Sequence, residues 1–219
     1  MKLTYIYYAL LVACFIYSLY FLQDYKVKVL AILLFLSIAT EILAEINIYK
    51  KVNYYVYYHG FTIVEYGLIS GILYQCIRDK LTKIILLISI PVFSIVCALI
   101  MIYVQNISES PSISGGLEGT LLIIWCLRAF YDLDPVKHGT IFQQPPFWFI
   151  MAFYSYYCIV TPFNCFFNTL QADPHYLALS TKAFAVINNA ANYLLYILCM
   201  IGLSCLKQVK YTRQSSSSR

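Results

Sequence analysis

The sequence is short of charge. Only 11% of its 219 residues are Asp, Glu, Lys or Arg, against about 25% in a typical soluble domain, and 61% are hydrophobic. This composition excludes the soluble classes and is typical of an integral membrane protein. The sequence also lacks a Pro-, Gly- or Ser-rich linker between its apolar runs. We therefore predict one transmembrane domain, residues 1–206, and a basic, Ser-rich cytoplasmic tail, residues 207–219, that is disordered.

The signatures of most chemistry are missing as well. None of the eight cysteines forms a CxxC pair, which favours small buried side chains over a disulfide framework or a zinc site. The histidines, His59, His138 and His175, are far apart and show no metal-binding spacing, and no GxSxG motif or phosphate loop occurs. We expect no metal, no cofactor and no catalytic activity of the chain's own. The net charge of +5 lies in short loops and the tail, so topology explains it better than nucleic-acid binding does.

What the sequence does contain is seven apolar segments long enough to be membrane helices. They cover roughly residues 4–22, 28–46, 56–76, 82–104, 113–131, 147–169 and 180–205. The 22 tyrosines suit helix ends at the membrane interface. We predict an all-α membrane protein, a single bundle of seven transmembrane helices that crosses the inner (plasma) membrane several times.

The distribution of Lys and Arg predicts the orientation of this bundle. Eleven of these residues fall on one side of the predicted helices and four on the other. The larger set is Lys26, Lys28, Arg78, Lys80, Lys83, Arg128, Lys137, Lys207, Lys210, Arg213 and Arg219, and the smaller set is Lys2, Lys50, Lys51 and Lys182. Because positively charged loops stay in the cytoplasm, the N-terminus is predicted to be outside and the C-terminus cytoplasmic.

Segment 56–76 carries one carboxylate, Glu65, near its middle. An ionisable group at that depth is costly, and it marks either a function or a polar contact inside the bundle. On the opposite side of the same helix, Gly67 and Gly71 form a GxxxG pair, which predicts the close approach of another helix. We therefore predict that this helix is central, tightly packed on its glycine face and polar on the other.

Five of the predicted helices place polar side chains in the outer half of the membrane. From the rise per residue, Glu65 lies about 15 Å from the outer end of its helix and Asn188 about 12 Å. The predicted lining of one outward-facing pocket is Glu41, Glu65, Glu118, Asn164, Asn188, Asn189 and Asn192. This pocket would take a cation, a proton, or a small polar or amphipathic ligand. The alternative is that the asparagines only hold helices together through hydrogen bonds.

Four short motifs extend over nearly the whole chain. They are Phe61-Thr62-Ile63-Val64-Glu65-Tyr66, Glu118 at the start of the fifth helix, Pro146-Phe147-Trp148-Phe149 opening the sixth, and Ile187-Asn188-Asn189 before a Tyr-rich run. In these motifs the sequence resembles a family of uncharacterised seven-helix inner-membrane proteins of Bacteroidota-type bacteria, similar to the membrane sensory modules of histidine kinases. The resemblance implies a sensor. Because the 13 residues after Leu206 cannot form a kinase domain, a separate signalling partner would supply the output.

The sequence thus predicts a receptor-like or sensory membrane module that binds a small ligand or a cation from the outer side. Two alternatives stay open. A small proton- or cation-coupled transporter would use Glu65 as its coupling site, with helices broken at Pro91 and Pro162. An intramembrane lipid-modifying enzyme would use the carboxylates for acid/base chemistry. A path from both faces favours transport, a closed inner half favours sensing, and carboxylates within reach of a lipid headgroup favour the enzyme.

Overall fold

The computed structural model describes residues 2–133, 140–172 and 174–217, and this part of the chain contains seven α-helices and no strand. The helices are α1 (Lys2–Leu19), α2 (Tyr25–Tyr49), α3 (Tyr55–Tyr74), α4 (Lys80–Tyr103), α5 (Ser112–Tyr131), α6 (Pro145–Ala172) and α7 (Pro174–Ser217), with a 3-10 turn at Ile141–Gln143. Each of the seven predicted segments is confirmed as a helix, because long apolar runs need their backbone hydrogen bonds satisfied within the segment.

The last helix extends into the C-terminal tail. The helix α7 continues without a break from Pro174 to Ser217. Adding residues to an existing helix costs less than nucleating a new one, and Lys, Gln and Arg are good helix formers. The tail therefore extends α7 beyond its apolar part, which ends at Lys207.

Five helices are long and apolar enough to cross a membrane. They are α2, α4 and α5 over their whole length, α6 over Pro145–Phe167, and α7 over Lys182–Lys207. The apolar stretch of α1 is shorter, Tyr5–Leu19, and α3 has its apolar run interrupted by side chains such as His59, Thr62 and Glu65. Such a set of helices is typical of an integral membrane protein.

Six of the helices close into a ring. α1 packs against α2 and α7, α2 against α3, α3 against α5, α5 against α6, and α6 against α7. α4 lies outside this ring, in contact with α3 and α5, and only Leu86, Phe93 and Cys97 of α4 are buried. The helix α3 is therefore one wall of a ring and not the central helix that the sequence predicted, because its polar face points into the ring instead of against other helices.

The GxxxG pair of α3 is not a close-packing motif. A Cβ added at Gly67 would lie 3.8 Å from Ile90 Cγ2, and one at Gly71 would lie 3.9 Å from Val29 Cγ1. These are ordinary van der Waals distances, so both positions have room for a Cβ atom. The predicted tight packing on this face is wrong, because the spacing of two glycines does not specify how near the partner helix comes.

The close approach occurs between α5 and α6. A Cβ added at Gly116 would lie 2.7 Å from Cys165 Sγ, and one at Gly119 would overlap the side chain of Thr161. Three glycines, the third of them Gly115, lie on the face of α5 that meets α6. Only glycine permits this separation between the two helices.

A chain of hydrogen bonds fixes α4 to the ring. Trp125 Nε1 of α5 donates to Tyr66 Oη of α3 over 3.1 Å, Tyr66 Oη lies 2.7 Å from Ser89 Oγ of α4, and Ser89 Oγ donates to the carbonyl oxygen of Leu86 over 2.6 Å. Because Ser89 Oγ donates its single proton to the carbonyl oxygen of Leu86, the Tyr66 hydroxyl is the donor in its bond with Ser89. Tyr66 is fully buried, and its hydroxyl connects three helices.

Replacing this hydroxyl is expected to destabilise the protein. Tyr66→Phe keeps the ring that packs 4.3 Å from Phe93, centroid to centroid, but leaves Trp125 Nε1 without an acceptor, which costs about 1–3 kcal/mol. Thermal unfolding in detergent measures the effect. Tyr57→Phe, on the exposed side of α3, is the matched control, and equal melting temperatures for the two variants would contradict the role given to Tyr66.

The ring has two distinct ends. We call the end where α1, α3, α5 and α7 begin the cavity end, and the opposite end the basic end. At the basic end, Asp132 accepts hydrogen bonds from Arg78 N and Arg128 Nη1, both at 2.8 Å. Asp79 caps α4, and hydrogen bonds from the Thr82 side chain and backbone hold the pKa of Asp79 below its ordinary value. These contacts join the end of α3, the start of α4 and the end of α5.

Candidate functional site

The ring encloses a cavity of about 460 Å³. Five helices supply its walls, α2, α3, α5, α6 and α7, and α1 contributes Tyr7. Lining positions recur at helical spacing, as in Phe61, Glu65 and Ile69 of α3, so each wall helix presents one face to the cavity. Among the described residues, none of α4 lines it.

Six of the seven residues predicted for the site line this cavity. They are Glu41 of α2, Glu65 of α3, Glu118 of α5, Asn164 of α6, and Asn188 and Asn192 of α7. The structure does not bring Asn189 to the cavity within the part of the chain that it describes. Consecutive residues of an α-helix point about 100° apart, so Asn188 and Asn192 face the cavity while Asn189 turns away.

Glu65 and Glu118 share one tyrosine. Tyr157 Oη donates to Glu118 Oε1 over 3.5 Å, and Tyr157 also interacts with the Glu65 carboxyl group. The two carboxyl groups are close enough to interact electrostatically. A tyrosine hydroxyl has one proton to donate, so Tyr157 satisfies only one carboxyl oxygen at a time. The structure therefore brings two of the predicted carboxyl groups together at a place where the described residues supply few hydrogen-bond donors to them.

Glu41 belongs to a second group of tyrosines. Tyr7 Oη donates to Glu41 Oε1 over 3.1 Å, and Tyr58 Oη donates to Glu41 Oε2 over 3.4 Å. Tyr7 also packs against Tyr196 of α7, with ring centroids 5.9 Å apart. Tyr156 of α6 interacts electrostatically with all three carboxyl groups of the cavity. Tyrosine hydroxyls of α1 and α3 thus hold the Glu41 carboxyl group.

Two buried acceptors of the cavity have no donor in the described chain. Glu118 is 4% exposed and Asn192 is 6% exposed, and both line the cavity. The described residues give Glu118 one hydrogen bond, to Oε1, which leaves Oε2 free. Asn192 donates through Nδ2 to the carbonyl oxygen of Asn188, and its Oδ1 accepts nothing from these residues. Neither oxygen is completely enclosed, so both open into the cavity.

Apolar side chains close the cavity toward the basic end. Leu30 of α2, Ile69 of α3 and Cys199 of α7 are the lining residues of their helices that lie nearest the basic end. Leu73, one turn beyond Ile69, and Leu203, one turn beyond Cys199, are completely buried at 0% exposure. The polar groups therefore lie between an apolar floor and the cavity end of the ring.

The loop between α4 and α5 borders the cavity at its other end. Ser110 lines the cavity, and His59 Nε2 of α3 hydrogen-bonds the carbonyl oxygen of Glu109 over 3.1 Å. Asn53 Nδ2 donates to the carbonyl oxygen of Ile107 over 3.2 Å. These bonds fix the loop to the start of α3, so the loop forms part of a defined rim.

Sequence reasoning did not assign any tyrosine to the site, although several line it. Tyr7, Tyr58, Tyr156 and Tyr196 line the cavity, although the sequence assigns tyrosines to the membrane interface. Helical spacing is the signal that could have found them, since Tyr196 follows Asn192 by one turn and Tyr58 precedes Glu65 by two. A tyrosine on the same face as a buried carboxyl group donates to it more readily than it anchors a helix end.

Comparison with known proteins gives no match, either to a family model, to a curated protein or to a solved structure. The resemblance to seven-helix bacterial membrane proteins therefore stays a prediction. The function has to be argued from the cavity itself.

Proposed function

We propose that the protein is a receptor-like or sensory module of the inner membrane that binds a small ligand or a cation from the outer side. One observation carries this proposal: the cavity has free polar acceptors toward one end and an apolar floor toward the other. A site that is open to one side only binds and releases from that side. In this proposal a separate signalling partner reads the bound state.

The orientation is part of the proposal. Seven crossings would turn the cavity end outward and the basic end toward the cytoplasm, as the distribution of Lys and Arg in the sequence predicts. In support, α1 and α3 lie in the ring beside the five helices that are apolar enough to cross by themselves. A polar face turned into a cavity allows α3 to cross the membrane without exposing Glu65 to lipid.

The alternatives receive less support from the same geometry. Of the two prolines inside helices, Pro91 belongs to α4 and lies away from the cavity, which weakens the broken-helix argument for a transporter. The apolar floor at Leu73 and Leu203 separates the carboxyl groups from the basic end. An enzyme acting on lipid needs its carboxyl groups at a headgroup, whereas Glu65 lies about 15 Å from the start of α3.

Access to the cavity is testable with a water-soluble thiol reagent that does not cross membranes. Ser37 of α2 lines the cavity about 18 Å from the end of its helix. We expect Ser37→Cys to be modified at position 37 in vesicles whose outer face is exposed, and to stay unmodified in inverted vesicles. Mass spectrometry of the digested protein locates the label, so the native cysteines need not be removed.

Ser94→Cys of α4 is the matched control. Ser94 and Ser37 both donate to the carbonyl oxygen four residues earlier, and both lie inside long apolar helices, but Ser94 is away from the cavity. It should resist the reagent from either side. Labelling of Ser37→Cys from both faces would support a transporter, and labelling from the inner face alone would reverse the orientation.

A further inference from the structure

The cavity has an excess of acidic side chains over basic ones. Three glutamates line it, and the described lining contains no Lys, Arg or His. The nearest compensation is a set of tyrosine hydroxyls, of which Tyr157 serves two carboxyl groups. A ligand that brings positive charge would relieve this excess, whereas an anionic ligand would add to it.

The free atoms of the cavity are acceptors and therefore need donors. Glu118 Oε2 and Asn192 Oδ1 are nine-tenths buried and open into the cavity without a protein donor. A buried acceptor left unpaired is costly, so these two oxygens favour a ligand with several N–H groups. An ammonium group has three donors and no acceptor, which complements two carboxyl groups and one amide oxygen.

An inorganic cation fits the site less well. Among the described residues, no three His, Cys, Asp or Glu side chains are placed to share a metal ion. Hard divalent cations such as Ca²⁺ need about 6–8 oxygen ligands at short range, while the cavity is about 460 Å³ in volume. That volume leaves room for an organic body attached to the charge.

The walls suit such a body. Aromatic rings of Phe61, Phe153 and Tyr156 line the cavity near the acidic groups, and aliphatic side chains, among them Leu30 and Ile69, line its floor. Aromatic faces attract an organic cation, and the floor takes apolar surface. The site thus combines acidic and amide groups, which offer hydrogen-bond acceptors, with an apolar floor toward the basic end.

We propose that the ligand of this cavity is a primary organic ammonium ion with an apolar or aromatic body, held through Glu65, Glu118 and Asn192. The inference rests on the proposed function and names the ligand class of the same site. The ammonium group donates to the free carboxylate and amide oxygens, and the body occupies the space between the aromatic walls and the apolar floor.

Calorimetric titration of the protein in phosphatidylcholine nanodiscs tests this inference, with the heat measured on empty nanodiscs subtracted. The probe is 2-phenylethylammonium, and its shape-matched controls are neutral 2-phenylethanol and anionic 3-phenylpropanoate. We expect the ammonium ion to bind at least about tenfold more tightly than the alcohol, as one charge-assisted hydrogen bond provides. No binding of the anion is expected.

Variants assign the binding to the site. Glu118→Gln should weaken binding of 2-phenylethylammonium by at least about tenfold, and Glu65→Gln serves the same purpose if Glu118→Gln does not fold. Glu45→Gln is the matched control, because Glu45 lies one turn beyond Glu41, is exposed and does not line the cavity. It should change the dissociation constant by less than about twofold.

Other outcomes of the titration would overturn the ammonium ligand. They would not decide the proposed function, which the labelling of Ser37→Cys tests separately. Equal binding of the alcohol, or preference for the anion, would leave a one-sided binding site but remove the ammonium. Binding of Na⁺ or Ca²⁺ that is lost in Glu118→Gln would replace the organic cation with an inorganic one. No heat with any probe, despite labelling of Ser37→Cys from outside, would reject the ligand class alone, whereas failure of that labelling rejects the one-sided cavity.

Discussion

Gly119→Ala is expected to destabilise the protein by about 1–3 kcal/mol, the usual cost of overpacking, whereas Gly67→Ala is expected to stabilise it by up to about 1 kcal/mol through helix propensity. The opposite signs follow from the contacts. A Cβ at Gly119 overlaps the Thr161 side chain of α6 and lies 3.0 Å from Thr161 Cβ, so rotating the threonine does not remove the clash. A Cβ at Gly67 meets Ile90 at an ordinary 3.8 Å.

Unfolding of the purified protein in detergent, followed by circular dichroism, measures both variants. Gly116→Ala is a second test of the same face, since its Cβ would lie 2.7 Å from Cys165 Sγ. The two substitutions are expected to change the stability in opposite directions. The comparison therefore does not depend on the absolute stability that a given detergent confers. A loss of stability in Gly67→Ala that equals the loss in Gly119→Ala would restore the GxxxG pair as the packing motif.

Glu65→Gln is expected to abolish ligand binding and to raise the free energy of unfolding by about 1 kcal/mol, the net value of one hydrogen bond. The substitution keeps the shape of the side chain and removes one of two carboxyl groups that interact across a shared Tyr157. The new amide can donate to Glu118, whose Oε2 lacks a donor within the described chain. Binding sites commonly hold such unfavourable groups at the expense of stability.

A structural role for Glu65 makes the opposite prediction. If the carboxyl group only held helices together, Glu65→Gln and more strongly Glu65→Leu would lower the melting temperature by unpairing Tyr157. Calorimetry on the ligand-free protein distinguishes the two cases. Glu45→Gln, which alters an exposed carboxyl group, should change stability by less than about 0.5 kcal/mol and sets the background.

The helices were predictable from the sequence, but their arrangement was not. An apolar run long enough to cross the membrane is a local signal, and each of the seven runs is a helix. Which helices meet depends on side chains far apart in the chain. Gly67 and Gly71 indicate a face that permits close approach, yet Ile90 and Val29 remain at ordinary distances from it. Gly119, which has the tighter contact, forms a second GxxxG pair with Gly115, and the spacing alone does not distinguish this pair from Gly67 and Gly71.

The site was predictable where polar groups interrupt apolar runs. Glu65 and Glu118 are conspicuous because a carboxyl group is expensive in a membrane helix. Tyr7 and Tyr196 are less so, because tyrosine suits both the interface and the interior, and only the helical face distinguishes the two. Asn189 illustrates the opposite error. It is an asparagine like its neighbour Asn188, but only Asn188 lines the cavity.

The closure of the ring by α1 and α7 has a consequence for biosynthesis. Tyr17 of α1 meets Ser204 of α7 across 187 residues of chain, with their hydroxyl oxygens 3.3 Å apart. At ribosomal speeds of about 5–20 residues per second, Ser204 is synthesised about 10–40 s after Tyr17. Until α7 is inserted, the nascent bundle is an open arc whose acidic face has lipid or water for a neighbour. A chain that stalls before α7 should therefore be recognised and degraded by membrane quality control.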